Sequence, residues 1–271
     1  MNTLTKNNVR VTGNGPHHLV FAHGFGCDQS MWRRVVAGLS DRYTVVLFDH
    51  VGSGDSDWSA YDEIRHGALF GYAEDVVEIC GSLPRGDVTF VGHSVGATIG
   101  VLAANLRPDL IKALVLICPS PRFSNTDAYV GGFEPADISE LLDLMDKNHL
   151  DWSALMAPTV MGPEDVPEQD EWRNSVCRID PRIAKQFARV TFEADNRMDF
   201  AASRTPSLIV DCSEDSLAPP SVGDFLVSIM PASRRITLQA GGHCPHLTRS
   251  PDVVAAIEAF IDERSDVDLA A

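Results

Sequence analysis

The chain has 271 residues, enough for one large domain or two small ones. Its 44% hydrophobic and 22% charged residues fit an ordinary globular protein, and 38 acidic against 22 basic side chains give a formal charge of −16. Such a surface disfavours nucleic acid and anionic membranes, whose phosphates attract Lys and Arg. The first residues, MNTLTKNNVRVTGNG, lack the apolar core of a signal peptide, and no apolar run approaches the roughly 18 residues of a membrane span. Cys27, Cys80, Cys118, Cys177, Cys212 and Cys244 form no C-x-x-C pair, so neither a zinc nor a disulfide framework is indicated. A reduced, cytoplasmic protein is expected.

From the N-terminus, HLVFAH (18–23) reads as a strand that runs into the Gly-rich turn HGFG (23–26). MWRRVVAGL gives a helix, TVVLFDH (44–50) a second strand and YAEDVVEICGSL a second helix. VTFVGH (88–93) is the third strand, followed at once by the helix GATIGVLAANLRP, and ALVLIC (113–118) is the fourth strand. The rhythm then breaks. From about 123 to 199 there is no strand pattern, only helix-like pieces such as ISELLDLMDKN and PRIAKQFARVTFEAD, separated by Pro158, Pro163, Pro167 and Pro181. SLIVDC (207–212), VGDFLVSIMP, RITLQA (235–240) and DVVAAIEAFIDE resume the alternation. The strands are continuous apolar runs, as expected where both faces are covered. An α/β architecture follows: a mostly parallel, doubly wound sheet formed by 1–122 and 200–271, with 123–199 inserted as a helical cap over one end.

Gly92-His93-Ser94-Val95-Gly96 fits G-x-S-x-G, and it stands where a strand ends and a helix begins. In α/β-hydrolases that setting forms a strained turn presenting a nucleophilic hydroxyl. Serine is a weak nucleophile and needs a base, which in turn needs an orienting carboxylate, in the chain order Ser, acid, His. LIVDCSEDSLAPP offers Asp211 inside the strand, Glu214, and Asp215 just past the strand end. Asp215 is the candidate acid. LQAGGHCPHLTRSP offers His243, directly after the glycines that follow the last strand, and His246, three residues on beside Pro245. His243 is the candidate base, its Nε2 expected within roughly 3 Å of Ser94 Oγ. His246 is expected in the pocket or behind the base. Read as metal ligands, His243, Cys244 and His246 lack further partners of matching spacing, so no metal or other cofactor is expected. For the developing oxyanion, the N–H of Val95 and that of Phe25 in HGFG are the candidate donors.

FAHGFGCDQSMW, LFDHVGSGDSD, GYAEDV, FVGHSVGA, YVGGFE and GGHCPHL together resemble the RsbQ group of α/β-hydrolases, which is similar to the plant strigolactone and karrikin receptors. The resemblance runs from about Val20 to the last helix. It implies a four-helix, V-shaped cap over an apolar pocket, the triad Ser94, Asp215 and His243, and oxyanion amides at Phe25 and Val95. Position 23 is His where the bacterial relative carries Pro. Gly96 agrees with the bacterial group, whereas the plant receptors usually carry Ser or Ala there.

Phe133, Trp152, Met156, Phe187 and Phe192 are candidates to line a pocket for a small apolar ester or lactone, or simply to pack the cap helices. Two functions fit these residues. One is a slow serine esterase or lactonase. The other, implied by the resemblance, is a stress-signalling protein in which the same site binds or turns over a ligand and engages a PAS-domain phosphatase. A cofactor-free peroxidase or a C–C hydrolase would use the same triad, whereas a haloalkane dehalogenase would need Asp in place of Ser94.

Overall fold

The computed structural model of the protein describes residues 2–84, 87–164 and 166–270. The N-terminal part contains α1 (Thr3–Lys6), β1 (Arg10–Thr12), β2 (His18–Ala22), α2 (Arg33–Leu39) and β3 (Thr44–Leu47), then α3 (Leu69–Ser82), β4 (Val88–His93), α4 (Val95–Leu106) and β5 (Ile111–Ile117). Five helices follow without an intervening strand: α5 (Pro135–Lys147), α6 (His149–Met161), α7 (Val166–Cys177), α8 (Pro181–Phe192) and α9 (Arg197–Ala202). The chain closes with β6 (Ser207–Glu214), α10 (Pro220–Ile229), β7 (Ser233–Gly241), α11 (Pro245–Thr248) and α12 (Ser250–Ala270).

The seven strands form one sheet in the order β1-β3-β2-β4-β5-β6-β7. All neighbouring pairs are parallel except β1 with β3, which is antiparallel. The six strands expected from sequence are present. β1 was not foreseen: its three residues are all exposed at the sheet edge, so they carry no apolar signal.

The pleat sorts each buried strand between two cores. Leu19, Phe21, Val45, Val91, Val115 and Val210 pack under α2 and α12, with Trp32, Val35, Leu39, Val253, Ile257 and Phe260. Val20, Ala22, Val46, Phe90, Leu114 and Leu116 face the other way, towards α3, α4 and the helices of the insertion. Period-2 alternation therefore exists in β2, β4 and β5, but both sets of positions are apolar because helices cover both faces.

The insertion lies between β5 and β6. Four of its helices, α5 to α8, have 12 or 13 residues each. The expected boundary at 199 falls inside α9. Asn148 ends α5 and caps α6, accepting from the N–H groups of Leu150 and Asp151, so the two helices meet in a tight corner.

Candidate active site

Ser94 sits between β4 and α4 with φ +54° and ψ −122°, a left-handed backbone conformation that costs energy for any residue with a side chain. The flanking glycines make this turn possible. A side chain at Gly92 would collide with Gly96 O at 2.4 Å, and one at Gly96 with His23 O at 2.6 Å. The Ser94 N–H donates to Ile117 O of β5 at 2.9 Å, which pins the turn to the neighbouring strand.

Asp215 and His243 come from the loops after β6 and β7, at the same edge of the sheet. Asp215 Oδ1 accepts from the N–H groups of Leu217 and Ala218 at 2.8 and 3.1 Å, and Oδ2 accepts from His243 Nδ1 at 2.6 Å. Both residues are 3% exposed. The backbone of His243 is held twice more: its N–H donates to Val160 O of α6 at 2.7 Å, and its carbonyl accepts from His93 Nε2 at 2.8 Å. With Nδ1 donating to Asp215, the lone pair lies on Nε2, which is buried and has no hydrogen-bond partner among the described residues. The expected bond from Ser94 Oγ to Nε2 is therefore not formed. Such contacts tighten when a substrate occupies the site.

Asp211 is held by Arg235, whose Nε donates to Oδ2 at 2.6 Å, and burial raises the Asp211 pKa. It is an internal ion pair. Glu214 is exposed at the end of β6.

The two amides expected as oxyanion donors stand free among the described residues. Val95 is the first residue of α4, where a helix offers no intrahelical acceptor to the N–H. The Phe25 N–H forms no hydrogen bond among the described residues. His23, at the position where Pro was noted in the bacterial relative, anchors this loop. Its Nδ1 donates to Gly24 O at 2.9 Å and its Nε2 accepts from His50 N–H at 3.1 Å, while His50 Nε2 donates back to His23 O at 3.1 Å.

Ser94 and His243 line a small, partly open cavity of about 30 Å³, between the sheet edge and the insertion. Phe25 lines it, and so do Trp152, Met156 and Phe192 of the candidate set. Phe133 does not. It sits on the loop before α5, paired with Ser124, and packs half-buried against the core. His246 does not reach the cavity either. It is fully buried behind it, packed at tilted angles against Trp32 and His93 with ring centroids 4.6 and 4.3 Å apart. Pro245 opens the short helix α11, and that turn carries His246 inward instead of along the loop. Phe187 buttresses Phe25 at 5.7 Å from behind. The wall also includes Phe123, Val160, Trp172, Thr191 and Leu217, none of which the sequence singled out. Larger surface grooves of about 500 and 640 Å³ touch none of the Ser94, Asp215 and His243 group.

Among the described residues, two groups bring three metal-ligating atoms within 4.8 Å of one another: His93, Cys244 and His246, and Cys118, Asp215 and His243. The third donor that sequence spacing could not supply is His93, from β4. Its Nε2 is bonded to His243 O, however, and its Nδ1 is packed so closely on Gly24 that a side chain there would meet it at 2.5 Å. In the second group Asp215 and His243 are bonded to each other.

A family model described as the alpha/beta hydrolase family matches residues 19–257. The chain belongs to this family. Among known proteins it is 36% identical to the karrikin insensitive 2 receptor CA of Petunia hybrida, over 92% of this chain and 93% of the relative. It is 35% identical to the strigolactone esterase D14 of Arabidopsis thaliana, over 91% of this chain and 93% of the relative. A hydrolase from Oleispira antarctica superimposes with a TM-score of 0.94 at 41% identity, covering 96% of both chains. Among the described residues no helix is long and apolar enough to cross a membrane.

Proposed function

We propose that this alpha/beta hydrolase is a serine esterase or lactonase acting on a small, neutral, apolar ligand. Ser94 Oγ attacks the carbonyl while His243 Nε2 takes its proton. Asp215 holds the imidazole in the tautomer that leaves Nε2 free and stabilises the imidazolium that forms. The N–H groups of Phe25 and Val95 receive the developing oxyanion. His243 then returns the proton to the leaving alkoxide, and water, activated by the same base, releases the acyl group. The reading rests chiefly on one observation: the 2.6 Å bond from His243 Nδ1 to Asp215, with the unpaired Nε2 lining the same cavity as the strained Ser94. Aromatic and aliphatic walls favour uncharged ligands over sugars or phosphates. Ser94→Ala should lower hydrolysis of p-nitrophenyl acetate about 10³-fold or more with an unchanged circular dichroism spectrum. Turnover near wild type in the purified variant would sink the assignment.

A second reading keeps the same site and makes a partner contact the output, as in the RsbQ-like group. Its support is the receptor names of the plant relatives and the apolar Leu150 and Leu155, both well exposed on α6. Leu155→Glu should then spare ester hydrolysis and abolish co-purification with a PAS-domain phosphatase. Equal recovery of the phosphatase with both proteins would count against that reading.

A further inference from the structure

Thr191 lies on α8 and lines the cavity with Ser94 and His243. It is 3% exposed, and its Oγ1 has no hydrogen-bond partner among the described residues. Inside a helix a threonine hydroxyl ordinarily bonds back to the carbonyl three or four residues earlier. Thr191 does not. Trp152, on α6, lines the same cavity, and its Nε1 is likewise buried without a partner. The neighbouring Trp172 differs, since its indole is engaged with Cys27. A buried polar group left unpaired is destabilising, and a ligand that supplies its partner offsets that cost. The unpaired His243 Nε2 is explained by proton transfer from Ser94, whereas the Thr191 hydroxyl and the Trp152 indole have no role in that step.

We infer that Thr191 determines ligand specificity, its hydroxyl acting with Trp152 Nε1–H to select a neutral ester or lactone that carries a second, uncharged hydrogen-bond acceptor away from the reacting carbonyl. This rests on the hydrolase reading of the same site. Indole N–H is only a donor and a hydroxyl can donate, so the group they share is an acceptor. It is uncharged because the cavity wall contains no Lys or Arg to compensate a buried carboxylate or phosphate.

The test compares p-nitrophenyl methoxyacetate with p-nitrophenyl butyrate, and p-nitrophenyl 3-methoxypropanoate with p-nitrophenyl pentanoate. In each pair an ether oxygen replaces a methylene. Wild-type protein, Thr191→Val and Thr191→Ser are assayed, and the ratio of kcat/KM within each pair is the readout, so intrinsic reactivity cancels between proteins. In at least one pair Thr191→Val should lower the ratio of ether to alkyl ester about fivefold, and Thr191→Ser should restore it. Ratios that stay level in both pairs, with both esters hydrolysed, overturn the inference and leave the hydrolase reading standing. Binding to Ser94→Ala separates the two claims. Methyl methoxyacetate should raise Tm more than methyl butyrate does, and adding Thr191→Val should cancel the difference. Equal shifts from the two esters overturn the subsite whatever the turnover.

Discussion

Both carboxylate oxygens of Asp215 and every polar atom of His243 except Nε2 are hydrogen-bonded, whereas on helices α6 and α8 the cavity meets Trp152 Nε1 and Thr191 Oγ1, neither with a partner among the described residues. The first region is three loops at the edge of a sheet whose strands are buried on both faces. The second is an insertion that meets the cavity through large apolar side chains. The difference separates two tasks. On the proposed reading, the sheet edge fixes Ser94, Asp215 and His243 through short, redundant bonds, and the insertion decides which molecule is presented to them. Changes at the edge should therefore alter rate, and changes in the insertion should alter choice.

The largest expected effect breaks the sheet edge itself. His243→Ala should lower kcat about 10³-fold or more, and Asp215→Asn should also lower it strongly by turning the imidazole to the wrong tautomer. His246→Ala should keep most of the turnover, yet melt about 5 °C lower or more, since it empties a fully buried space between Trp32 and His93. Parallel esterase assays and thermal melts check this. A reversal between the two histidines would move the base off its loop.

A smaller effect belongs to the insertion. A cavity of about 30 Å³ holds little more than one or two water-sized groups, so p-nitrophenyl acetate should be favoured over the hexanoate about tenfold or more in kcat/KM. Met156→Ala should widen the wall and shift the optimum to longer acyl chains. A length profile that Met156→Ala leaves in place would show that the insertion does not set the choice.

The smallest effect tests how firmly the core behind the site is held. Burial drives the His246 pKa down to about 3, with the nearby His243 adding to it, and burial also lowers His93, His50 and His23. The unfolded chain titrates near 6.5, so below that value the unfolded state holds more protons and stability falls as the pH falls. Urea midpoints should drop from pH 7 to pH 5, and His246→Phe should make the decline shallower by about one proton. An equally steep decline in that variant would show that His246 is not among the groups responsible.

Much of this architecture was legible in the chain, for identifiable reasons. β2, β4, β5 and β6 are apolar on both faces and punctuated by glycine or by loop carboxylates, so their runs stand out. The Ser94 turn was legible because its glycines answer a steric demand that only glycine meets. β1 was hidden because it is short and exposed, and Thr191 because a threonine in an amphipathic helix gives no sign of lacking its usual backbone acceptor. The placement of His246 depended on Pro245 starting a new turn, a reversal that spacing alone cannot encode. His93 and Gly24 meet only through the pairing of β2 with β4, so their contact had no local signature.

Reaction with diethyl p-nitrophenyl phosphate, followed by intact mass and peptide mapping, tests most directly whether Ser94 is the nucleophile. One diethylphosphoryl group per chain should appear on Ser94, form slowly in His243→Ala, and be absent from Ser94→Ala. Stoichiometric modification at another residue, or an unlabelled wild-type protein that still hydrolyses p-nitrophenyl acetate, would contradict it.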